Sequence, residues 1–414
     1  MPNITFDSSM HEVQYIKSTP YQKSVSDMST GGVTSNRAIF TLYIVPIALQ
    51  KSVLCGIISQ TDSYPRISCY WRILIMGAKL YKQFKDFHDT IRLDKESSQL
   101  KEKREILQSD IESKLPEKLE SIGIEITKSD LHFFDQGSYR QNVSTGIKSA
   151  TADRDVAVEF DLDITSFDDP RKIKKCVRDA LKIENRRKPE IKEPCVTVKY
   201  LKAGEENIHI DFPIYAICSG AHYLARGKEF SQSYKWELCD PHGLNDFLDG
   251  LFAGDTGNQL RRIVRYLKKW KVENYGESFS KDQIPPSIAL TLMAGDAFIY
   301  QTAEGQDDDL SALSIVVKGI KDKFQYNHIT EKYTIQYNLP VEPYSNVFYK
   351  MTDNYQDIFY KKWCTFCTKV QNAVDASEEY EAAKILQSVF GTDFELPPKP
   401  QAKTGTARKE YSYA

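Results

Sequence analysis

The sequence predicts an α+β protein, in which a core with a mixed sheet and helices is followed by a C-terminal helical lobe. Three runs, DVAVEFDLDI, CVTVKYL and IHIDFPIYAI, alternate apolar and polar residues with a period of 2, which is typical of strands. Ahead of these runs, and again beyond about Phe230, apolar residues recur every three or four positions, which indicates helices. Strands flanked by helical segments therefore predict one sheet and a separate helical lobe.

Size and composition indicate a soluble globular protein with more than one domain. The chain has 414 residues, of which 41% are hydrophobic and 27% charged, so two or three packed units are expected. The formal net charge of -2 gives no overall preference for nucleic acid or membrane.

Cysteine spacing and hydropathy favour a cytoplasmic location. The eight cysteines are irregularly spaced, unlike the disulfide framework of a small secreted domain. The longest apolar run, from Ala38 to Ile58, contains Pro46, Gln50 and Lys51, so no membrane-spanning helix is expected. The polar segment that precedes this run does not resemble a secretory signal.

We divide the chain into four parts. Residues 1–75 are an N-terminal extension of unknown role without sustained periodicity, and Met76 is a candidate natural start. Residues 76–230 form the core with its N-terminal helices, and residues 231–397 form the helical lobe. Residues 398–414 are rich in proline, lysine and small polar residues, which predicts a flexible tail.

Two helices are predicted ahead of the strands. In the first, the apolar side chains of Leu80, Phe84, Phe87 and Ile91 fall on one face. The second is a charged helix over residues 95–124 with an apolar stripe, and it is expected to break near Pro116.

Three aspartates are the candidate metal ligands and catalytic residues. Asp153 and Asp155 are separated by one residue at the start of a predicted strand, so both carboxylates project from the same face. Asp211 lies in a second predicted strand. Like charges this close are unfavourable without a cation between them, and three carboxylates suit magnesium. Asp161 and Asp163 form a competing pair, but they end the apolar strand instead of beginning it.

A glycine and a serine precede these acids by about fifteen residues. Gly137-Ser138, at the head of a predicted helix, offers backbone N–H groups, a hydroxyl and the positive end of a helix dipole. Such a turn is suited to binding a triphosphate, with the acids beside the α-phosphate.

The order of these motifs resembles the DNA polymerase β-like nucleotidyltransferases, and within them the bacterial cyclic-oligonucleotide synthases (CD-NTases) related to oligoadenylate synthases. The resemblance covers about residues 76–397 and is carried by QGS at Gln136, DRD at Asp153, HIDFPIYA with Asp211, WELCDPHGLNDFL and the pair LRRIVRYLKKWKVEN…IPPSIALTLM. It implies a polymerase β-like core and assigns nucleotide binding to six residues: Gln136, Gly137, Ser138, Arg265, Lys268 and Ser287. Of these, Ser138, Lys268 and Ser287 would hold the triphosphate, and Arg265 would face the second nucleotide. A threonine is common five residues after the serine in these families, whereas Thr145 follows Ser138 by seven.

The resemblance also implies an activity and its partners. ATP and GTP are the expected substrates, with two Mg²⁺ ions, or Mn²⁺, as cofactors. They would be joined without a template into a cyclic di- or trinucleotide with release of pyrophosphate. The product would be a second messenger in anti-phage (CBASS) signalling, and regulatory proteins would modify the tail at Ala414.

Two alternatives stay open. One is a nucleotidyltransferase that modifies an RNA, a protein or a small molecule. The other is a catalytically inactive module that binds nucleic acid through residues 171–192, which carry ten basic and three acidic side chains. That segment lacks the interleaved aromatic residues of single-strand binders, so a solvated helix and loop is the favoured interpretation.

Overall fold

The computed structural model describes residues 80–93, 98–146, 152–202 and 205–399, all of which belong to one compact unit. The predicted N-terminal extension, the candidate start at Met76 and the modification site at Ala414 lie outside the described residues. Among the described residues, no helix is both long enough and apolar enough to span a membrane.

Helices and strands follow the two-part order that the sequence predicts. The helices are α1 (Tyr81–Ile91), α2 (Ser98–Glu120), α3 (Gly137–Arg140), α4 (Pro170–Leu181), α5 (Pro241–Leu251), α6 (Gly254–Asn274), α7 (Ser287–Ala297), α8 (Asp309–Lys321), α9 (Asp353–Asp375) and α10 (Glu379–Phe390). The strands are β1 (His132–Gln136), β2 (Ala152–Asp161), β3 (Glu190–Ile191), β4 (Cys195–Lys202), β5 (Glu205–Cys218), β6 (Ala221–Arg226), β7 (Lys235–Cys239), β8 (Thr302–Ala303), β9 (Gln306–Asp307), β10 (Gln325–Asn327) and β11 (Lys332–Thr334).

Seven strands form one mixed sheet. Its order is β1-β2-β5-β4-β3, and β6 extends it by pairing with the far end of β5 and with β7. Strands β2 and β5 are parallel, whereas the other neighbours are antiparallel. The three alternating runs of the sequence are β2, β4 and β5. The predicted α+β fold with a mixed sheet and a C-terminal helical region is confirmed.

One face of the sheet packs on α2 and α4. Val156, Val158, Ile210 and Phe212 are fully buried on this face together with apolar side chains of both helices. Because neighbouring residues of a strand point to opposite faces, the odd-numbered residues of β2 and β5 lie on the other face. That other face carries Asp153, Asp155 and Asp211.

The predicted break of α2 near Pro116 is wrong. The helix continues to Glu120, although an internal proline costs about 3 kcal/mol. Leu115 and Leu119, on either side of the proline, are both completely buried in the apolar cluster beneath the sheet. Burial of each leucine contributes about 1.5–3 kcal/mol, which offsets the loss of one backbone hydrogen bond.

A second apolar cluster holds the helical lobe together. Its largest members include Trp270 on α6, with Trp363 and Phe366 on α9, whose rings contact one another. Leu80 and the buried face of α1 belong to this cluster as well. The sequence-based division assigns α1 to the core, whereas its apolar side chains pack in the helical lobe.

Helix α5 connects the sheet to the helical lobe. Asp240 caps it by accepting a hydrogen bond from the backbone N–H of Gly243 at 2.7 Å. Asn245 donates to the carbonyl of Asp135 on β1 at 3.3 Å, and Asp249 pairs with Arg140 at 2.5 Å. Leu248 packs in the helical cluster, so α5 contacts both parts of the protein.

Candidate active site

The three predicted acids come together on one face of the sheet. Asp155 on β2 is the register partner of Asp211 on the parallel strand β5, and Asp153 is the register partner of His209. Residues paired in this way lie side by side, and Asp153 is two residues from Asp155 on the same face. The sheet therefore places all three carboxylates in one cluster.

Asp155 lies, half-buried, at the centre of the cluster. Burial, then the neighbouring charges of Asp153 and Asp211, raise the pKa of its carboxyl to about 8. Burial and the neighbouring negative charges disfavour ionisation of this carboxyl, and a bound cation would reverse this effect. The cluster therefore fits a divalent metal ion held by oxygen ligands.

His209 belongs to the cluster although the sequence analysis did not select it. Its Nε2 lies 2.8 Å from Asp153 Oδ1, and one ligand atom each from Asp153, His209 and Asp211 lies within 4.8 Å of the others. The hydrogen bond to Asp153 raises the pKa of His209. The signal was present in the sequence, because residue 209 precedes Asp211 by two and so shares its face.

Two further side chains orient Asp211. Thr197 on β4, its register partner, donates a hydrogen bond to Asp211 Oδ1. Lys192 Nζ lies 3.7 Å from the same oxygen. Both contacts fix this carboxylate toward the cluster from the β4 side.

The Gly137-Ser138 turn lies directly against Asp155. Gly137 has a φ of +69°, and a Cβ atom added there would overlap with Asp155 Oδ2 and lie 3.1 Å from Asp155 Cγ. Only glycine combines this backbone conformation with so close an approach. The preceding residue, Gln136, is the register partner of Asp155 and accepts a hydrogen bond from the Tyr215 hydroxyl at 3.0 Å.

The serine of this turn faces a second serine. Ser138 Oγ and Ser144 Oγ are 3.0 Å apart, so Ser144 takes the position facing Ser138 in a loop that departs from the usual family spacing. Gly137 and Ser138 are the first residues of α3, which has only four residues. Its dipole is correspondingly weak, and the hydroxyls and backbone N–H groups remain as the main donors of the turn.

The predicted basic residues on α6 have distinct positions. Ser287, at the start of α7, accepts a hydrogen bond from Lys271 and not from Lys268. Burial lowers the pKa of Lys271 to about 8, with a smaller contribution from Lys281. The pairing identifies Lys271 as a candidate phosphate ligand that the sequence analysis missed.

Lys268 lies nearer to the acids and to the serine loop. Its Nζ donates to the carbonyl of Val143 at 2.9 Å. Burial, then the charges of Lys271 and Arg265, lower the pKa of Lys268 to about 7, while Asp153 and Asp155 act in the opposite direction. An anionic ligand bound beside Lys268 would therefore raise this pKa and favour the protonated form of the amine.

Arg265 holds the loop that carries Ser144. The residue is 4% exposed, and its guanidinium donates to both the carbonyl and the side-chain oxygen of Asn142 and to the carbonyl of Ser144. It also contacts His88 at 2.9 Å. These groups occupy the guanidinium of Arg265. The predicted contact of Arg265 with a second nucleotide stays a prediction.

The competing acid Asp163 and part of the basic segment have other roles. Asp163 lies beyond the end of β2 and accepts hydrogen bonds from Thr165 and Ser166. Within residues 171–192, Lys174 is fully buried and donates to three carbonyl oxygens. Arg187 pairs with Asp110. Some basic side chains of this segment therefore have partners within the protein.

Comparisons with known proteins identify the domain that carries this site. Residues 131–215 match the family model described as "Cyclic GMP-AMP synthase DncV-like, nucleotidyltransferase domain". The matched region includes Gln136, Ser138 and the three aspartates. Among curated proteins, none matches this chain by sequence.

Solved structures show the same fold over most of the chain. The Vibrio cholerae DncV cyclic AMP-GMP synthase is 17% identical with a TM-score of 0.57, and the match covers 77% of this chain and 96% of that one. Its complex with nonhydrolyzable GTP is 18% identical with a TM-score of 0.58, covering 78% and 99%. The Bradyrhizobium diazoefficiens CD-NTase CdnG in complex with GTP is 13% identical with a TM-score of 0.56, covering 75% and 96%.

These matches confirm the predicted nucleotidyltransferase domain and enzyme class. The chain carries a DncV-like nucleotidyltransferase domain, and it is a nucleotidyltransferase with the fold of the CD-NTases. The acidic cluster found in the structure lies inside the matched domain.

Proposed function

Starting from this DncV-like nucleotidyltransferase domain, we propose that the protein joins ribonucleoside triphosphates into a cyclic di- or trinucleotide and releases pyrophosphate. The observation that carries the proposal is the side-by-side placement of Asp155 and Asp211, with the Gly137-Ser138 turn in contact with Asp155. ATP and GTP are the proposed substrates. The resemblance extends the proposal to a second messenger in anti-phage (CBASS) signalling.

Asp153, Asp155 and Asp211 would hold two Mg²⁺ ions, for which Mn²⁺ is a substitute. Bound there, the ions would neutralise charge at the α-phosphate and at the departing pyrophosphate. The raised pKa of Asp155 supports this assignment, because such a cluster ionises fully only when a cation is present.

The chain's own residues would position the donor nucleotide. Ser138 and the N–H groups of its turn would bind the triphosphate from the sheet side, and Lys271 with Ser287 would bind it from the helical lobe. Lys268, whose charge interacts with those of Asp153 and Asp155, would balance further negative charge of the triphosphate. This pairing adds Lys271 to the residues that the resemblance implies.

Asp211 would orient the acceptor hydroxyl and accept its proton. Thr197 and Lys192 hold this carboxylate in place. Attack of the hydroxyl oxygen on the α-phosphorus forms the new phosphodiester and breaks the bond to pyrophosphate. Positioning and charge stabilisation supply most of the rate enhancement in reactions of this kind.

The experiment is an incubation of purified protein with the four ribonucleoside triphosphates and Mg²⁺. We expect pyrophosphate and a phosphatase-resistant product whose mass is that of a cyclic oligonucleotide, and neither from Asp155→Asn. Product that forms only after an RNA, protein or small-molecule acceptor is added would replace this proposal with the acceptor-modifying one.

The inactive nucleic-acid-binding alternative needs a separate variant. Arg186 is exposed, whereas Arg187 is buried against Asp110, so Arg186→Glu changes the charge of the segment without breaking an internal ion pair. We expect this variant to keep full activity. Loss of function in Arg186→Glu together with unchanged function in Asp155→Asn would favour the binding module.

A further inference from the structure

A second cluster of metal-ligating side chains lies on the same face of the sheet as the catalytic acids. It consists of Glu159 on β2, His222 on β6 and His242 at the start of α5. Glu159 Oε2 lies 3.2 Å from His222 Nε2 and 2.9 Å from His242 Nε2. One ligand atom from each residue lies within 4.8 Å of the others.

Glu159 has no strong base as a counter-ion. Its side chain is 11% exposed, and in the described part of the chain its ion-pair partners are the two histidines and no lysine or arginine. A buried carboxylate is unfavourable unless a cation is bound beside it. The two imidazoles are directed at one carboxylate oxygen, so a cation that pairs with Glu159 would lie between the three side chains.

We propose that Glu159, His222 and His242 bind one divalent transition-metal ion, for which Zn²⁺ fits the ligands best. Two imidazole nitrogens and one carboxylate are a common ligand set for Zn²⁺ with an open fourth position. Ligand atoms about 2.0–2.2 Å from a tetrahedral ion lie roughly 3.3 Å apart, close to the two observed separations. Mg²⁺ prefers oxygen ligands alone, so it suits the three catalytic carboxylates better than a site with two imidazoles.

The surroundings limit the freedom of the ligands. The Phe134 ring lies 4.2 Å from the His242 ring, centroid to centroid, and His242 is fixed in the first turn of the capped helix α5. His132, an exposed residue, is the register partner of Glu159 on β1 and lies on the same face. It is a candidate for the fourth position, which water would otherwise fill.

The bound metal would connect the sheet to the helical lobe. Glu159 follows Asp155 by four residues on one strand, a distance of about 13 Å, so the site is separate from the catalytic cluster. Strands β2 and β6 supply two ligands, whereas α5, which leads into the helical lobe, supplies the third. A bound ion would therefore fix α5 to the sheet, which forms one side of the nucleotide site.

The test is a titration of the full-length, chelator-treated protein with Zn²⁺ while excess Mg²⁺ is present to occupy the catalytic acids. Isothermal titration calorimetry is expected to show one Zn²⁺ per chain. The affinity is expected to fall at least about tenfold in His222→Gln and in His242→Gln, because glutamine keeps a hydrogen-bond donor toward Glu159 but is a poor ligand. Zn²⁺ should raise the melting temperature of the wild-type protein and not of these two variants.

His209→Gln is the matched control, because His209 contacts the catalytic acid Asp153 and not this cluster. This variant should leave the binding of Zn²⁺ unchanged. Absence of Zn²⁺ binding, equal affinity in all three variants, or loss in the control alone would overturn the proposal. Co²⁺ bound to the wild-type protein gives an answer that needs no variant. Four-coordinate nitrogen and oxygen ligation gives strong visible absorption and supports the site, whereas the weak bands of six-coordinate oxygen ligation contradict it.

Discussion

Replacement of Gly137 by alanine is expected to abolish most activity at a small cost in stability. The new methyl group would overlap with Asp155 Oδ2 and lie 3.1 Å from Asp155 Cγ. A normal contact requires the carboxylate to move by roughly 1 Å. Displacement of a catalytic group by this amount reduces the rate about 100-fold.

Gly123→Ala is the matched control for the backbone. Gly123 has a φ of +86° and nothing within 4 Å of an added Cβ, whereas Gly137 has a φ of +69° and Asp155 as its neighbour. A residue other than glycine in the left-handed region costs about 1–2 kcal/mol. Both variants should therefore lose stability of this order, and only Gly137→Ala should lose activity through Asp155.

The assay combines pyrophosphate release at saturating nucleotide with thermal melting of each variant. We expect the rate of Gly137→Ala to fall about 100-fold and that of Gly123→Ala to stay within about twofold of the wild type. Wild-type activity in Gly137→Ala would refute the close approach of the turn to Asp155. Equal activity losses in both variants would assign the effect to backbone strain.

Three further predictions concern charge. The raised pKa of Asp155 means that, between about pH 4 and pH 8, the metal-free native state binds a proton there that the unfolded state releases. Thermal melting in a chelator should therefore show stability falling as the pH rises through this window, and falling less in Asp155→Asn. Identical pH profiles of the two proteins would contradict the burial of this carboxyl. Lys271→Met should raise KM for the nucleotide at least about tenfold with little loss of melting temperature, because burial already lowers the pKa of this amine. The control is Lys281→Met, since Lys281 is an exposed neighbour. Equal effects of the two variants on KM would exclude a specific contact between Lys271 and a phosphate. Arg265→Met should lower the free energy of unfolding, measured by chemical denaturation, by about 1–3 kcal/mol, because three oxygens of Asn142 and Ser144 lose their hydrogen-bond donor. An unchanged denaturation midpoint would show that other contacts hold the loop that carries Ser144.

The acidic cluster was accessible from the sequence because strand periodicity fixes which side chains share a face. Asp153 and Asp155 are two residues apart, and the alternation around Asp211 identifies its strand. The same rule, applied to residue 209, would have added His209. The parallel pairing of β2 with β5, which sets Asp155 beside Asp211, is a long-range contact that no local pattern contains.

The basic side of the site was harder to predict. Lys268, Lys269 and Lys271 lie within one turn of α6, so helical spacing alone does not decide which of them meets Ser287. The packing of α6 on α7 sets its rotation and brings Lys271 to that serine, while Lys269 pairs with Asp393 near the C-terminal end of the helical lobe. Similarly, local propensity places a break at Pro116, and tertiary burial of Leu115 and Leu119 overrides it.

The most direct test of the catalytic centre is a crystal structure with Mn²⁺ and a nonhydrolysable nucleoside triphosphate. We predict anomalous peaks within about 2.2 Å of carboxylate oxygens of Asp153, Asp155 and Asp211, with the triphosphate against Ser138 and Lys271. Manganese bound elsewhere, or a nucleotide whose α-phosphate lies away from these three carboxylates, would contradict the account.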